Sequence, residues 1–230
     1  MLALLRGLKG RGYKTRLINP HDELWDRRLG VQTFGFHPGT GVGKPDWQVH
    51  YAPTPYSEIF RLLKLIDLRD DDVFVDLGSG MGRTTFAASW LGAKRAVGVE
   101  IVQDLCNKSN ENLRRSRLSG RPIKFVCMNA ADYRNPDVTV LFMCHPFGEA
   151  TLRHVMRNFE SDVNARPDRT FRIVYRNPMY DAVLQQIPWL ECVGRVPPSG
   201  PWPSTLARYE TTLWRSVPLM DYPQKPPSNK

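Results

Sequence analysis

The sequence predicts an α/β protein built on one seven-stranded, mostly parallel sheet with helices on both faces. Three observations carry this reading. Val73-Phe74-Val75-Asp76-Leu77 is a short apolar run of the kind buried in parallel sheets, and it leads into Gly78-Ser79-Gly80-Met81-Gly82-Arg83, a glycine turn that opens a helix. Roughly 20 residues further on, a second apolar run, Arg95 to Glu100, ends in an acid. After that, apolar runs alternate with helical spacing, the pattern of a sheet wrapped by crossover helices.

The glycine turn is a ligand turn. Glycine lets the backbone take positive φ and approach a ligand closely, while the free N–H groups of the helix start face an anionic group. A dinucleotide turn has Gly-x-Gly-x-x-Gly; here the third glycine comes one residue early, as Gly78-x-Gly80-x-Gly82, with Asp76 two residues before the first. That spacing disfavours a nicotinamide cofactor and fits S-adenosylmethionine. Glu100 then stands where an acid accepts hydrogen bonds from both ribose hydroxyls.

On these residues the chain resembles the class I, Rossmann-like S-adenosylmethionine-dependent methyltransferases. More narrowly, Trp25-Asp26-Arg27-Arg28-Leu29-Gly30-Val31-Gln32-Thr33 and Tyr51-Ala52-Pro53-Thr54-Pro55 resemble a group of small bacterial methyltransferases. These share a distant Tyr-x-Pro-Thr similarity with lysine methyltransferases of the non-SET histone and ATP-synthase c-subunit types. The resemblance covers residues 22 to 216, and it implies a Rossmann-like sheet whose last strand is antiparallel. It implies cofactor contacts from Tyr51, Thr54, Asp76, Gly78, Ser79, Gly80, Gly82, Thr84, Glu100, Ile101, Asn129, Ala130 and Cys144. Relatives carry Asp-Ala where this chain has Asn129-Ala130, and the Asn129 amide oxygen can still accept a hydrogen bond from the adenine amino group.

The elements follow in order. Met1 to Arg16 has five basic residues and no acid and reads as a basic arm. Asp22 to Gly30 is a short helix, followed by a glycine- and proline-rich, lid-like loop that carries His37, Trp47 and His50. Residues 1–50 thus form an N-terminal region, and 51–217 the methyltransferase-like domain. Thr54-Pro55 reads as an N-cap with proline at the first helical position, and the helix runs to Asp67 with Ile59, Phe60, Leu62, Leu63 and Ile66 on its apolar face. Helices are expected over Thr84 to Leu91 and Ile101 to Leu118, the latter closing in Arg114, Arg115 and Arg117, which suit the helix dipole. The third strand is Ile123 to Met128 and the fourth Val138 to Cys144.

Ligands of open α/β sheets sit beyond the carboxyl ends of the strands, so the turn Cys144-His145-Pro146-Phe147-Gly148-Glu149 is the expected place of methyl transfer. Relatives often have Asn-Pro-Phe there, and His145 replaces the Asn. Its imidazole suits proton removal, unless it is a hydrogen-bonded structural residue. Glu149, Tyr51 and Tyr175 stand behind it as candidate catalytic residues. Leu152, Val155, Met156 and Phe159 mark a packing helix, and Phe171 to Tyr175 the fifth strand, ending in Arg176-Asn177-Pro178-Met179-Tyr180 as a substrate-side wall or helix cap. A helix spaced by Tyr180, Val183, Leu184 and Ile187 follows. Leu190 to Val196 and Thr211 to Val217 complete seven strands, joined by a proline-rich loop containing Trp202. Residues 218–230 form a disordered tail.

At 230 residues the chain suits one domain able to bury a core without disulfides. Its four cysteines, Cys106, Cys127, Cys144 and Cys192, form no Cys-x-x-Cys pair, so buried free thiols in a reducing, cytoplasmic setting are expected and no metal site is. A net charge of +9 tilts towards anionic partners, nucleic acid included, although no nucleic-acid module is visible. No apolar run is long enough to span a bilayer. The expected acceptor is a nitrogen of a small molecule or a protein lysine. An RNA or DNA amino group and a non-catalytic, cofactor-binding partner protein are the alternatives.

Overall fold

The computed structural model describes residues 19–35, 51–166, 168–198 and 209–217. The basic arm, most of the lid-like loop with His37, Trp47 and His50, the Trp202 loop and the tail lie outside the described residues.

The helices are α1 (Pro20–Leu29), α2 (Tyr56–Leu65), α3 (Arg83–Trp90), α4 (Gln103–Arg115), α5 (Glu149–Asn164) and α6 (Asp181–Gln185). The strands are β1 (Val73–Leu77), β2 (Arg95–Glu100), β3 (Ile123–Cys127), β4 (Val140–Cys144), β5 (Arg172–Arg176), β6 (Leu190–Val196) and β7 (Thr211–Ser216). They form one sheet in the order β3-β2-β1-β4-β5-β7-β6. Neighbours from β3 to β5 pair in parallel, and β7 inserts antiparallel to both β5 and β6, as the family resemblance implies.

Two cores flank the sheet. On one face Phe74, Ala96, Phe125 and Phe142 pack against Leu29, Ile59, Leu62, Leu63 and Phe86. On the other, Val75, Val97, Leu141, Ile173 and Tyr175 meet Leu152, Val155, Phe159, Leu184 and Trp189. Alternating strand residues supply both faces, which is why β1 is buried along its whole length. The carboxyl ends of β1, β2, β4 and β5 consequently open on one edge.

Several expected boundaries shift for local reasons. Thr54 does not cap α2: Pro55 occupies the N-cap, and the Tyr56 N–H donates to Asp22 Oδ1 (2.9 Å) of α1 instead. Helix α4 starts at Gln103, two residues later than expected, because Glu100 Oε1 takes the N–H groups of Ile101 and Val102 (both 2.9 Å). β4 starts at Val140 because Asn135 folds the preceding chain into a turn, accepting from Asp137 N (3.1 Å) and Val138 N (3.2 Å). All four cysteines are free, but only Cys106 is fully buried; Cys127 and Cys192 lie on the sheet's two outermost strands and are exposed. Among the described residues no helix is long and apolar enough to cross a membrane, and no group of three or more His, Cys, Asp or Glu is arranged to hold a metal.

The N-terminal segment is tied to the glycine turn by a buried polar network. Arg83, 3% exposed, donates from Nη1 to Asp22 Oδ2 (2.8 Å) and from Nε to Thr33 Oγ1 (2.7 Å), and its guanidinium lies 4.9 Å from the centre of the Tyr56 ring. Thr33 gives its own N–H and hydroxyl to Asp26 (2.7 Å each), which also accepts from the Tyr56 hydroxyl (2.9 Å). Asn112 of α4 clasps both backbone groups of Gln32 (2.9 and 3.1 Å) and donates to Met81 O (3.1 Å) within the turn. Removing one partner of a buried ion pair strands the other charge. Arg83→Ala is therefore expected to lower unfolding free energy by about 3–5 kcal/mol, read as an earlier urea midpoint. Arg83→Lys should recover only part of it, since one ammonium cannot serve Asp22, Thr33 and the ring together. An unchanged midpoint in the alanine variant would show that the network does not hold the segment.

Candidate active site

The glycine turn adopts the conformation its sequence requires. Gly78, Gly80 and Gly82 have φ of 79°, 55° and 94°. All three also allow close approach: a Cβ on Gly78 would stand 2.5 Å from Pro146, one on Gly80 only 2.2 Å from the Tyr51 ring, and one on Gly82 2.5 Å from the Phe125 ring. Tyr51 and the post-β4 turn thus both close on the glycine turn, from opposite directions in the chain. The Tyr51 hydroxyl donates to Thr33 O (2.6 Å), and burial raises its pKa well above the ordinary phenol value.

Several of the turn's backbone donors are engaged within the protein. The N–H groups of Gly78 and Ser79 reach Val99 O (2.8 and 3.0 Å), and Gly80 N–H reaches Glu100 Oε2 (2.8 Å). Glu100 accepts three backbone N–H groups in all, which fixes its carboxylate at the carboxyl end of β2. Asp76 is in a different situation. Among the described residues its carboxyl makes one hydrogen bond, a long one from Thr85 Oγ1 (3.4 Å); burial, seconded by the Glu100 charge, pushes its pKa from 3.8 up to about 8. Asp76 is therefore a neutral carboxylic acid at neutral pH, able to donate a hydrogen bond.

Beyond β4, Cys144 is pressed against the Thr54 hydroxyl and the Arg176 guanidinium, and burial keeps its thiol protonated. His145 and Asn177 follow Cys144 and Arg176, which are paired in register, and both take left-handed conformations (φ 43° and 51°) before a proline. Non-glycine residues in this region carry strain and gather at functional sites. The His145 ring lies 5.6 Å from that of Tyr180, its Nδ1 is buried without a hydrogen-bond partner, and burial lowers its pKa, keeping the imidazole neutral.

The remaining sequence-derived candidates divide. Thr54 and Thr84 are buried beside the turn, and Ile101 is half exposed, with its N–H on Glu100. Asn129 uses its Oδ1 to cap the 3-10 turn Ala130–Asp132 through Ala131 N (2.9 Å), leaving one lone pair of that oxygen for another donor. The exposed Glu149 carboxylate is engaged by Arg153 (2.8 Å). The Tyr175 hydroxyl accepts from Tyr180 N (3.3 Å), and burial pushes its pKa to about 12, so it is a weak candidate base. Asp22, Asp26, Arg83 and Asn112 were not foreseen as site-forming. The signal available was a polar residue on each helix's buried face.

The residues fit an S-adenosyl cofactor: glycines at positive φ in the first βα turn, a fixed acceptor at the end of β2, and buried Ser79 Oγ and His145 Nδ1 without hydrogen-bond partners. The strand order and turn are those of the class I S-adenosylmethionine-dependent methyltransferase fold. The family model described as "Histone methylation protein DOT1" matches residues 48–136. The chain is 36% identical over 74 residues to a protein-lysine N-methyltransferase of Saccharolobus islandicus, covering 32% of this chain and 46% of that one. It is 34% identical over 62 residues to an uncharacterized protein of Methanocaldococcus jannaschii, covering 27% of each. The matched segments thus span less than half of either relative. Among solved structures, an RNA methyltransferase from Salinibacter ruber in complex with S-adenosyl-L-homocysteine superposes with a TM-score of 0.50 at 21% identity, covering 77% of this chain and 98% of that one.

The protonation of Asp76 has a measurable consequence. Between pH 3.8 and about 8 the folded state holds a proton that the unfolded chain has released, so this residue's contribution to stability falls as pH rises through that window. Asp76→Asn removes the dependence. The melting-temperature advantage of the variant over the native protein should therefore widen from pH 5 to pH 9, as followed by thermal unfolding in matched buffers. A gap that stays constant with pH would place the Asp76 pKa in the ordinary carboxylate range.

Proposed function

We propose that the protein is an S-adenosylmethionine-dependent methyltransferase acting on a nitrogen nucleophile, of a small molecule or of a protein lysine. The observation that carries this reading is the Glu100 carboxylate fixed on Gly80 N–H, at a glycine turn closed over by Tyr51 and the His145-Pro146 turn. In this reading Glu100 receives the ribose hydroxyls, Asn129 and Ala130 border the adenine, and Tyr51, Thr54, Asp76 and Thr84 surround the methionine end. Gly78, Ser79, Gly80 and Gly82 form the turn, with Ile101 and Cys144 as flanking contacts. The bound cofactor supplies an electrophilic methyl group on a sulfonium. The chain's own residues orient the acceptor, exclude water and receive its proton.

His145 is the proposed proton acceptor. A neutral imidazole with an unengaged nitrogen, held in a strained turn at the carboxyl edge of the sheet, has the protonation state that base catalysis needs. Tyr51, Glu149 and Tyr175 are the secondary candidates. The lysine branch is supported by the Tyr-x-Pro-Thr resemblance and by the naming of the Saccharolobus relative as a protein-lysine methyltransferase. The net charge of +9 favours the RNA or DNA alternative.

The test is calorimetric titration with S-adenosylhomocysteine, followed by incubation with methyl-labelled S-adenosylmethionine and a lysate resolved into small-molecule, protein and nucleic-acid fractions. Micromolar binding with label in the small-molecule or protein fraction is the expected outcome. Label in nucleic acid selects the alternative acceptor, binding without transfer selects a non-catalytic role, and absence of binding overturns the cofactor assignment. Glu100→Ala should weaken S-adenosylhomocysteine binding more than tenfold, through lost hydrogen bonds to a charged acceptor. His145→Ala should bind normally and turn over about 10²- to 10⁴-fold more slowly; lost binding in that variant would make His145 a cofactor contact instead.

A further inference from the structure

Cys106 and Cys127 are brought together at the border of the proposed cofactor site, a juxtaposition the sequence does not announce. Cys127 ends β3 and stands in register with Glu100 of β2. Phe125, two residues earlier, packs on Phe86 at 5.3 Å, so Cys127 projects to that same face of the sheet, the face on which α4 lies. From α4 the Cys106 thiol donates to Glu100 O (3.2 Å), the same carbonyl that accepts the Met128 N–H (2.9 Å) on the peptide following Cys127. The Cys127 thiol in turn donates to Gln103 Oε1 (3.4 Å), three residues before Cys106 on α4. Cys106 is buried and Cys127 exposed. The buried thiol is held protonated by its burial first and by the neighbouring Cys127 second. The other two cysteines lie elsewhere, Cys144 on β4 and Cys192 on the outer strand β6.

We propose that Cys106 and Cys127 are a redox-modification site, closing to an intramolecular disulfide that loosens cofactor binding. The oxidant is a small-molecule disulfide such as oxidised glutathione. The exposed Cys127 thiolate attacks one of its sulfurs, forming a mixed disulfide and releasing one small thiol. Cys106, having given up its proton, then attacks Cys127 Sγ and expels the second. The two protein thiols are oxidised by two electrons in total, and their two protons leave on the released thiols. Closure withdraws the Cys106 donor from Glu100 O and ties the second turn of α4 to the end of β3. This disturbs the residue whose carboxylate holds Gly80, Ile101 and Val102. The effect on affinity rests on the proposed cofactor site; formation of the bond does not.

The experiment oxidises the whole protein in a graded glutathione redox buffer, maps disulfides by mass spectrometry of alkylated peptides, and titrates S-adenosylhomocysteine before and after. The expected result is loss of two thiols with the 106 and 127 peptides joined, a fivefold or greater loss of affinity, and full recovery on reduction. Cys127→Ser, at an exposed position, should show neither the bond nor the loss of affinity. Four free thiols after oxidation, or a bond through Cys144 or Cys192, overturns the site. A mapped 106–127 bond with unchanged affinity overturns its effect on the cofactor. Failure of the reduced protein to bind S-adenosylhomocysteine would instead reject the cofactor reading, with the mapped bond still deciding the site.

Discussion

The arrangement turns on one buried cation. Arg83 immediately follows the last glycine of the turn, and its guanidinium is shared between Asp22, Thr33 and the face of Tyr56. A desolvated guanidinium is costly unless a carboxylate stands beside it and most of its donors are satisfied; here Nε and Nη1 are engaged, and Nη2 has no partner among the described residues. That requirement draws Asp22 of α1 and the segment around Thr33 onto the first turn of α3. Once there, Thr33 O receives the Tyr51 hydroxyl, which sets the Tyr51 ring on Gly80. A structural ion pair thereby decides what closes over the cofactor turn, although it need not touch a ligand itself.

The two acids of the site show how neighbours divide like groups into unlike roles. Glu100 gathers three backbone N–H donors at the end of its strand, while Asp76, one strand over, has a single long hydrogen bond among the described residues and retains its proton. Placed so close, two charges of the same sign would repel, and burial settles which group stays neutral. One edge of the sheet thus offers a carboxylate acceptor and a neutral donor on adjacent strands.

Much of this was legible in the sequence because it is local. The glycine spacing, the strand-ending acid and the apolar runs determine the turn and the strand count, each within a few residues, whereas the antiparallel β7 was implied by the family resemblance. What escaped came from distant partners. Thr54 has the residue type of an N-cap, yet Asp22, 34 positions from Tyr56, takes the N–H. Cys127 sits in an apolar run and would be buried in a central strand; it is exposed because β3 is an edge, and edges follow from strand order, not from any one run.

The paired left-handed residues His145 and Asn177 impose a dimension. They leave adjacent strands joined in register, and neighbouring strands stand about 4.8 Å apart. Backbone pairing sets that gauge, so it cannot be widened without tearing β4 from β5.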